Sequence, residues 1–403
     1  MRIRSVTLGL DAAWPLDAQA IQHAGRFLGQ AKLRFEAAGV EVQTTRVALS
    51  PFAELRSEAV PRWTLEMARD LESTCRDEAV GYVSLGPIRW SRLPASAASA
   101  HAEALPELIG STEIVSASVE TASGGVLYGT AAQAAGRVVA RLAAETEMGF
   151  GNFRFGTVSE CPPGIPFFPA AYHAGGPPRF SLGLEAADLV RSVFGPPGGL
   201  VELERRLGEA MGEAVAALER EALALESEFG VVYAGADLTP APFPSDDISA
   251  GGMLEDLGAD AVGAVGTLAA AAALTRMIKA LPLKQAGFSG LMLPVLEDSV
   301  LAARASEGLL SWAELLLYSA VCGTGLDTVP LPGDASEEEL AGIALDVASL
   351  AVTLGKPLTC RLLPVPGKRA GEMTDYDFPY FANARVLSLK GLGCSRLFAR
   401  LAF

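Results

Sequence analysis

Histidine is scarce: His23, His101 and His173 serve a chain of 403 residues. Zinc sites and catalytic pairs that need neighbouring imidazoles have little to draw on. The five cysteines are widely spaced and include no CxxC pair. That pattern gives neither a zinc site nor a disulfide framework, and it points to a reducing cytoplasm. Positive charge is also short. Lys and Arg number 32 against 47 Asp and Glu, a formal charge of -15, and the basic residues are scattered. Nucleic-acid binding by counterion release needs clustered Lys and Arg, so no nucleic-acid partner is expected. Anionic membrane surfaces are disfavoured for the same reason. The best membrane-span candidate, residues 261–274, is too short and is mostly Ala and Gly. At the start, the apolar run is too short for a signal peptide and soon meets Asp11.

Apolar residues, by contrast, make up half of the chain, and its length could hold two domains or one large α/β barrel. Residues 2–10 alternate with the period of a strand. Residues 17–38 then repeat apolar side chains at helical spacing, Ile21 through Phe35, with Gly39 where a C-cap belongs. The alternation continues as strand over 40–49, helix over 62–76, strand over 79–85, strand over 114–119 and helix over 128–146. Crossovers of helical length imply mostly parallel strands with helices outside the sheet. The Pro/Gly-rich region 160–199, with CPPGIPFFPAAYHAGGPP, reads either as a functional loop or as a junction between two halves of one fold. Residues 200–229 form an amphipathic helix, its stripe either core packing or a coiled-coil seam. Residues 256–280 read as one Ala-rich helix carrying Gly258, Gly263 and Gly266.

Chemistry gathers where strand-like runs end. The stretch 287–334 places Glu297 and Asp298 after an apolar run ending at Pro294, then Cys322, Gly323, Gly325 and Asp327. The loop DLTPAPFPSDDIS adds Asp237, Asp246 and Asp247. Converging loops of this kind would make an oxygen-rich pocket for Mg²⁺, Mn²⁺ or Ca²⁺, with Asp246, Asp247, Glu297 and Asp327 as ligands. Helix capping accounts for carboxylates at the same positions. Glu297, Asp298 and Cys322 are the catalytic candidates; Asp246, Asp247, Asp327, His173, Gly323 and Gly325 are the binding candidates. Cys322 has no histidine near it in sequence and would need His173 as its base. The Gly323-Thr324-Gly325 turn lacks the third glycine of a dinucleotide loop and the lysine of a P-loop.

GFSGLMLPVLEDS followed by AVCGTGLDTVPLPGD resembles the family called domain of unknown function 711, or uncharacterised protein family 0210. So do VTLGL near the start, AAYHAGG, DLTPAPFPSDDIS and VGAVG. The resemblance covers most of the chain. It implies an α/β barrel related to pyruvate formate-lyase-like glycyl radical enzymes, ten strands in two half-barrels around a cavity, as one domain over residues 1–403. It implies no assigned reaction. Family members commonly close with a Gly-rich EFGGLLG-AP segment, whereas this chain has no glycine between Gly371 and Gly391. A glycyl radical needs that glycine, so none is expected here. Tyr376, Tyr380 and Phe381 stand there instead, as an aromatic lid or a seal. The expectation is an enzyme acting on a small polar metabolite in the barrel, with a divalent cation. The alternative is a non-catalytic protein binding a metabolite or cation in the same cavity. A cytoplasmic homo-oligomer is expected in either case.

Overall fold

The computed structural model describes residues 1–55, 61–194 and 199–401; the part of region 160–199 that falls at 195–198 lies outside them. Ten strands among the described residues form one sheet. They are β1 Arg2–Leu10, β2 Val42–Leu49, β3 Tyr82–Ile88, β4 Val115–Ser123, β5 Val126–Leu127, β6 Phe155–Ser159, β7 Arg179–Glu185, β8 Val232–Asp237, β9 Gly325–Pro332 and β10 Leu358–Val365. The order is β8-β7-β1-β2-β3-β4-β6-β10-β9, with β5 folded back on β4. Strands β1, β2, β3, β4 and β6 are parallel. Strand β7 pairs antiparallel with β1, and β10 antiparallel with β6. The pairs β7-β8 and β9-β10 are each parallel. Of the nine strands in this order, five therefore run one way and the last four in sequence the other; β5 is antiparallel to β4.

The sheet is not closed by strand pairing; β8 and β9 are its edges. The chain between them touches both through single bridges, Gln285 to Ala236 and Pro294 to Asp327. This stretch, expected as an apolar strand, is irregular because Gly287 and Ser289 have φ of 63° and 42°. Asp237, at the end of β8, dictates that path. Its carboxylate accepts the backbone N–H groups of Phe288 at 2.7 Å and Ser289 at 2.8 Å, and both the N–H and hydroxyl of Thr239. A Cβ on residue 287 would collide with that carboxylate. Asp237 is a buried loop clamp.

Alternation along the strands separates two faces. Ile3, Val6 and Leu8 of β1, Val115, Ala117 and Val119 of β4, and Phe180, Leu182 and Leu184 of β7 join the main core under the helices. The intervening positions are small or hydroxylated: Ser5, Thr7, Ser84, Ser116, Ser118, Ser181 and Gly183. A parallel sheet covered by helices on both faces would be apolar on both. Here the inner face is covered by the Pro-rich segment itself. Thr7 Oγ1 donates to the carbonyl of Pro166 at 2.8 Å, Ser84 to Ala171 at 2.8 Å, and Ser181 to Gly164 at 3.0 Å. A Cβ on Gly156 would sit 2.6 Å from the Pro169 ring, and one on Gly183 would be 3.0 Å from Phe167. Hydroxyls satisfy the inserted backbone where it has no ladder of its own. Its apolar side chains Ile165, Phe167 and Ala170 form a second small core with Val158, Phe288 and Met292. The Pro/Gly-rich stretch is a plug.

Two helix expectations change. The stripe of the Leu200–Phe229 helix is buried in the chain's own core from Leu203 to Leu225, so it is no free coiled-coil seam. The Ala-rich helix is shorter, Thr267–Lys279. Positive φ at Gly258, Gly263 and Gly266 ends helical geometry before it, and a side chain at 263 would strike the Leu309 carbonyl. No helix among the described residues is long and apolar enough to cross a membrane.

Candidate functional site

A cavity opens inside the sheet at the amino ends of β1 to β4 and β6. Strands β9 and β10, which run the other way, reach it with residues in their first halves. Arg4, Thr44, Arg46, Tyr82 and Ser116 line it from the first strands, and Asp327 and Arg361 from β9 and β10. The plug contributes Phe167, Phe168 and Pro169, the chain between β8 and β9 contributes Met292 and Glu297, and the C-terminal loop contributes Phe378 and Tyr380. About 80 Å³ is open to the centre of a water-sized sphere. One water needs roughly 10–15 Å³ on that measure, so the space suits a ligand of several non-hydrogen atoms.

Its charges form a graded series. Arg361 spans two carboxylates, Nε to Asp327 Oδ1 and Nη2 to Glu297 Oε1, both at 2.6 Å. Burial alone would lower its pKa, but Asp327 and Glu297 more than offset that and hold it above the usual guanidinium value. Arg4 pairs with Glu297 through one terminal nitrogen and with Glu185 at 3.1 Å through the other. Arg154, just before β6, donates to the carbonyls of Ile109 at 2.7 Å and Val115 at 3.0 Å. Those six nitrogens are spent.

Arg46 differs. Its Nε donates to Thr44 Oγ1 at 2.9 Å, and its guanidinium lies 5.6 Å from the Tyr82 ring and 5.1 Å from Phe168. Among the described residues no carboxylate pairs with it, and both terminal nitrogens lack a protein partner. Burial, with Arg4 nearby, pushes its pKa down to about 10, so it stays charged at neutral pH. Asp327 is the acidic counterpart. Only Oδ1 is hydrogen-bonded, and burial raises its pKa, with Glu297 adding and Arg361 opposing.

The residues expected from sequence distribute unevenly. Glu297 and Asp327 meet at the cavity. Asp298 does not line it: fully buried, it accepts from Ser249 Oγ at 2.7 Å, Leu301 N at 2.9 Å, Gly251 N at 3.2 Å and the N–H of Ala250. It caps two helix starts at once. Asp298→Ala leaves those donors without a partner, at about 3 kcal/mol or more of stability; urea unfolding measures it. Unchanged stability with lost ligand affinity would return Asp298 to the site. Asp246 and Asp247 are exposed on a short turn, Asp246 accepting from Ser299 Oγ at 2.7 Å. Among the described residues no three His, Cys, Asp or Glu side chains are grouped as a metal would need. Cys322 is buried in the main core, its carbonyl held by Lys356. Gly323 packs backbone to backbone on Gly290, and Gly325, at φ 102°, passes close to the Thr359 carbonyl. His173 lines a separate small cavity with Gly9, Tyr172 and Arg179, its ring 3.8 Å from Asp11.

Sequence reading missed the four arginines and saw only part of the lid. Phe150, Phe153, Phe378, Phe381, Tyr376 and Tyr380 form one ring cluster beside the cavity, Phe150–Phe378 at 4.9 Å and Phe153–Phe381 at 5.3 Å.

The family described as Uncharacterised ACR (DUF711) matches residues 1–378. A UPF0210 protein of Pyrobaculum arsenaticum is 33% identical over 361 residues, covering 84% of this chain and 76% of the relative. UPF0210 protein MK1214 of Methanopyrus kandleri is 29% identical over 405 residues, covering 92% and 87%. A UPF0210 protein of Carboxydothermus hydrogenoformans is 27% identical over 408 residues, covering 93% and 88%. None of these names states an activity. With its match running through all ten strands of the sheet and all the cavity residues named above except Tyr380, the chain belongs to the uncharacterised DUF711 (UPF0210) family.

Proposed function

We propose that this protein is an enzyme that binds a small organic anion in the interior cavity, with Arg46 as its anchor and Asp327 as the group that takes or gives a proton. One observation carries the reading: a charged guanidinium on the cavity wall, half-buried, with two terminal nitrogens that no protein group engages and no carboxylate paired to it. A free pair of charged N–H donors facing a cavity walled by aromatic rings is a ready receptor for an anion's oxygens. The partly free, pKa-raised carboxyl of Asp327 in the same cavity is the feature an acid–base group needs. Arg361, Arg4 and Glu297 hold it in place. The sheet is read as a barrel of two half-barrels wrapped on the plug, five strands against five, with the chain at 285–294 taking the place of a tenth staff between β8 and β9. That is the pyruvate formate-lyase-like arrangement implied by the resemblance.

The direct test is calorimetric titration and thermal unfolding with small carboxylates and phosphate, beside MgCl₂, MnCl₂ and CaCl₂. At least one anion should bind saturably and stabilise the chain, by about 2.7 kcal/mol at a hundredfold excess over Kd. Binding of divalent cations with no anion response would overturn the assignment. Solvent deuterium entering a bound anion, and lost in Asp327→Asn, marks proton transfer. Tight binding without exchange would make this a binding protein.

A further inference from the structure

We infer that the ligand is a monocarboxylate attached to a flat, aromatic or similarly unsaturated body; the inference rests on the anion reading of the same cavity. The head group follows from Arg46. With Nε fixed on Thr44 and two rings over the guanidinium, the two terminal nitrogens are what it offers to the cavity. A planar fork of two N–H donors matches the two oxygens of one carboxylate.

A second negative charge is unwelcome. Arg4 and Arg361 are already neutralised by Glu185, Glu297 and Asp327, and the terminal nitrogens of Arg154 are engaged by backbone carbonyls. A phosphate dianion or a dicarboxylate would place its extra charge near Glu297 and Asp327 with no free donor fork to receive it. The chain's formal charge of -15 repels polyanions further.

The body follows from the walls. Phe153, Phe167, Phe168, Phe378 and Met292 surround the space next to Arg46. Rings that already meet edge to face, such as Phe153 and Phe378 at 5.5 Å and 67°, accept another ring in the same manner. A short polar anion such as acetate would leave these surfaces unfilled.

The experiment is isothermal titration of the wild-type chain with sodium benzoate, acetate, inorganic phosphate and benzamide, the last an uncharged counterpart of benzoate. Benzoate should bind at least about tenfold more tightly than acetate, from the added apolar burial, and phosphate and benzamide more weakly still. In Phe168→Leu, benzoate affinity should drop several-fold while acetate changes little. Wild-type comparisons alone decide the matter if that variant fails to fold. Acetate or phosphate binding as tightly as benzoate overturns the aromatic class and leaves the anion reading standing. Benzamide matching benzoate, or no binding by any anion, overturns both.

Discussion

Replacing Arg46 with methionine should abolish anion binding and, in the free protein, raise stability. Loss of affinity comes from removing a charged donor pair from an enclosed site, an effect of about 2–5 kcal/mol, or at least roughly thirtyfold in Kd. The stability gain has a separate cause. Arg46 is a half-buried cation beside Arg4, with one hydrogen bond to Thr44 and no carboxylate partner among the described residues. Methionine keeps the unbranched stem and its contact with Tyr82 and Phe168, and it removes the desolvation and the repulsion. A half-buried, unpaired charge replaced by an apolar chain stabilises by up to about 1 kcal/mol. Urea midpoints on the free proteins and calorimetric titration with the best wild-type anion check the two halves. A variant that is less stable and still binds would show that Arg46 is a structural arginine whose charge is satisfied in solution.

Most of the secondary structure was legible from periodicity, because strands β1 and β4 alternate apolar with small polar side chains and the helices Ala18–Ala37 and Leu200–Phe229 each bury one apolar face. Legible in principle, but unread, was the inner face. Ser5, Thr7, Ser84, Ser116 and Ser181 recur at every second position of buried strands, a pattern that calls for polar backbone on that side. The plug at 160–176 answers it. The arginines were hidden for a different reason. Arg4, Arg46, Arg154 and Arg361 lie far apart in sequence, on or beside four different strands, so no motif gathers them. The available signal was local: Arg361 stands alone as a charged residue in the fully buried run LTCRLLPV, and such a residue needs a partner. The carboxylates attracted attention because they sit in loops after strands, yet Asp237 and Asp298 are spent on backbone N–H groups. Only the sheet order shows which acids face the arginines.

The largest loss of stability should come from Arg361→Met, about 3–5 kcal/mol, because it leaves carboxylates behind in a closed space. Glu297 would keep Arg4, whereas Asp327 would keep no cation in contact. The consequence depends on pH, with a sign that follows from the unpaired acid. Burial already raises the Asp327 pKa against the pull of Arg361; without the guanidinium the folded-state value rises further above its unfolded value. A group of that kind contributes its stability below the unfolded pKa and loses it as pH rises through the folded one. The deficit of Arg361→Met relative to wild type should therefore be small near pH 4 and grow towards pH 8, measured by urea unfolding across that range. Adding Asp327→Leu should recover a large part of the loss and flatten the pH dependence, since the stranded charge is gone and Glu297 retains Arg4. If the deficit is the same at every pH and the second substitution only adds to it, the Arg361–Asp327 pair is not the coupled element that holds this cavity, and Asp327 has no claim to be its proton carrier.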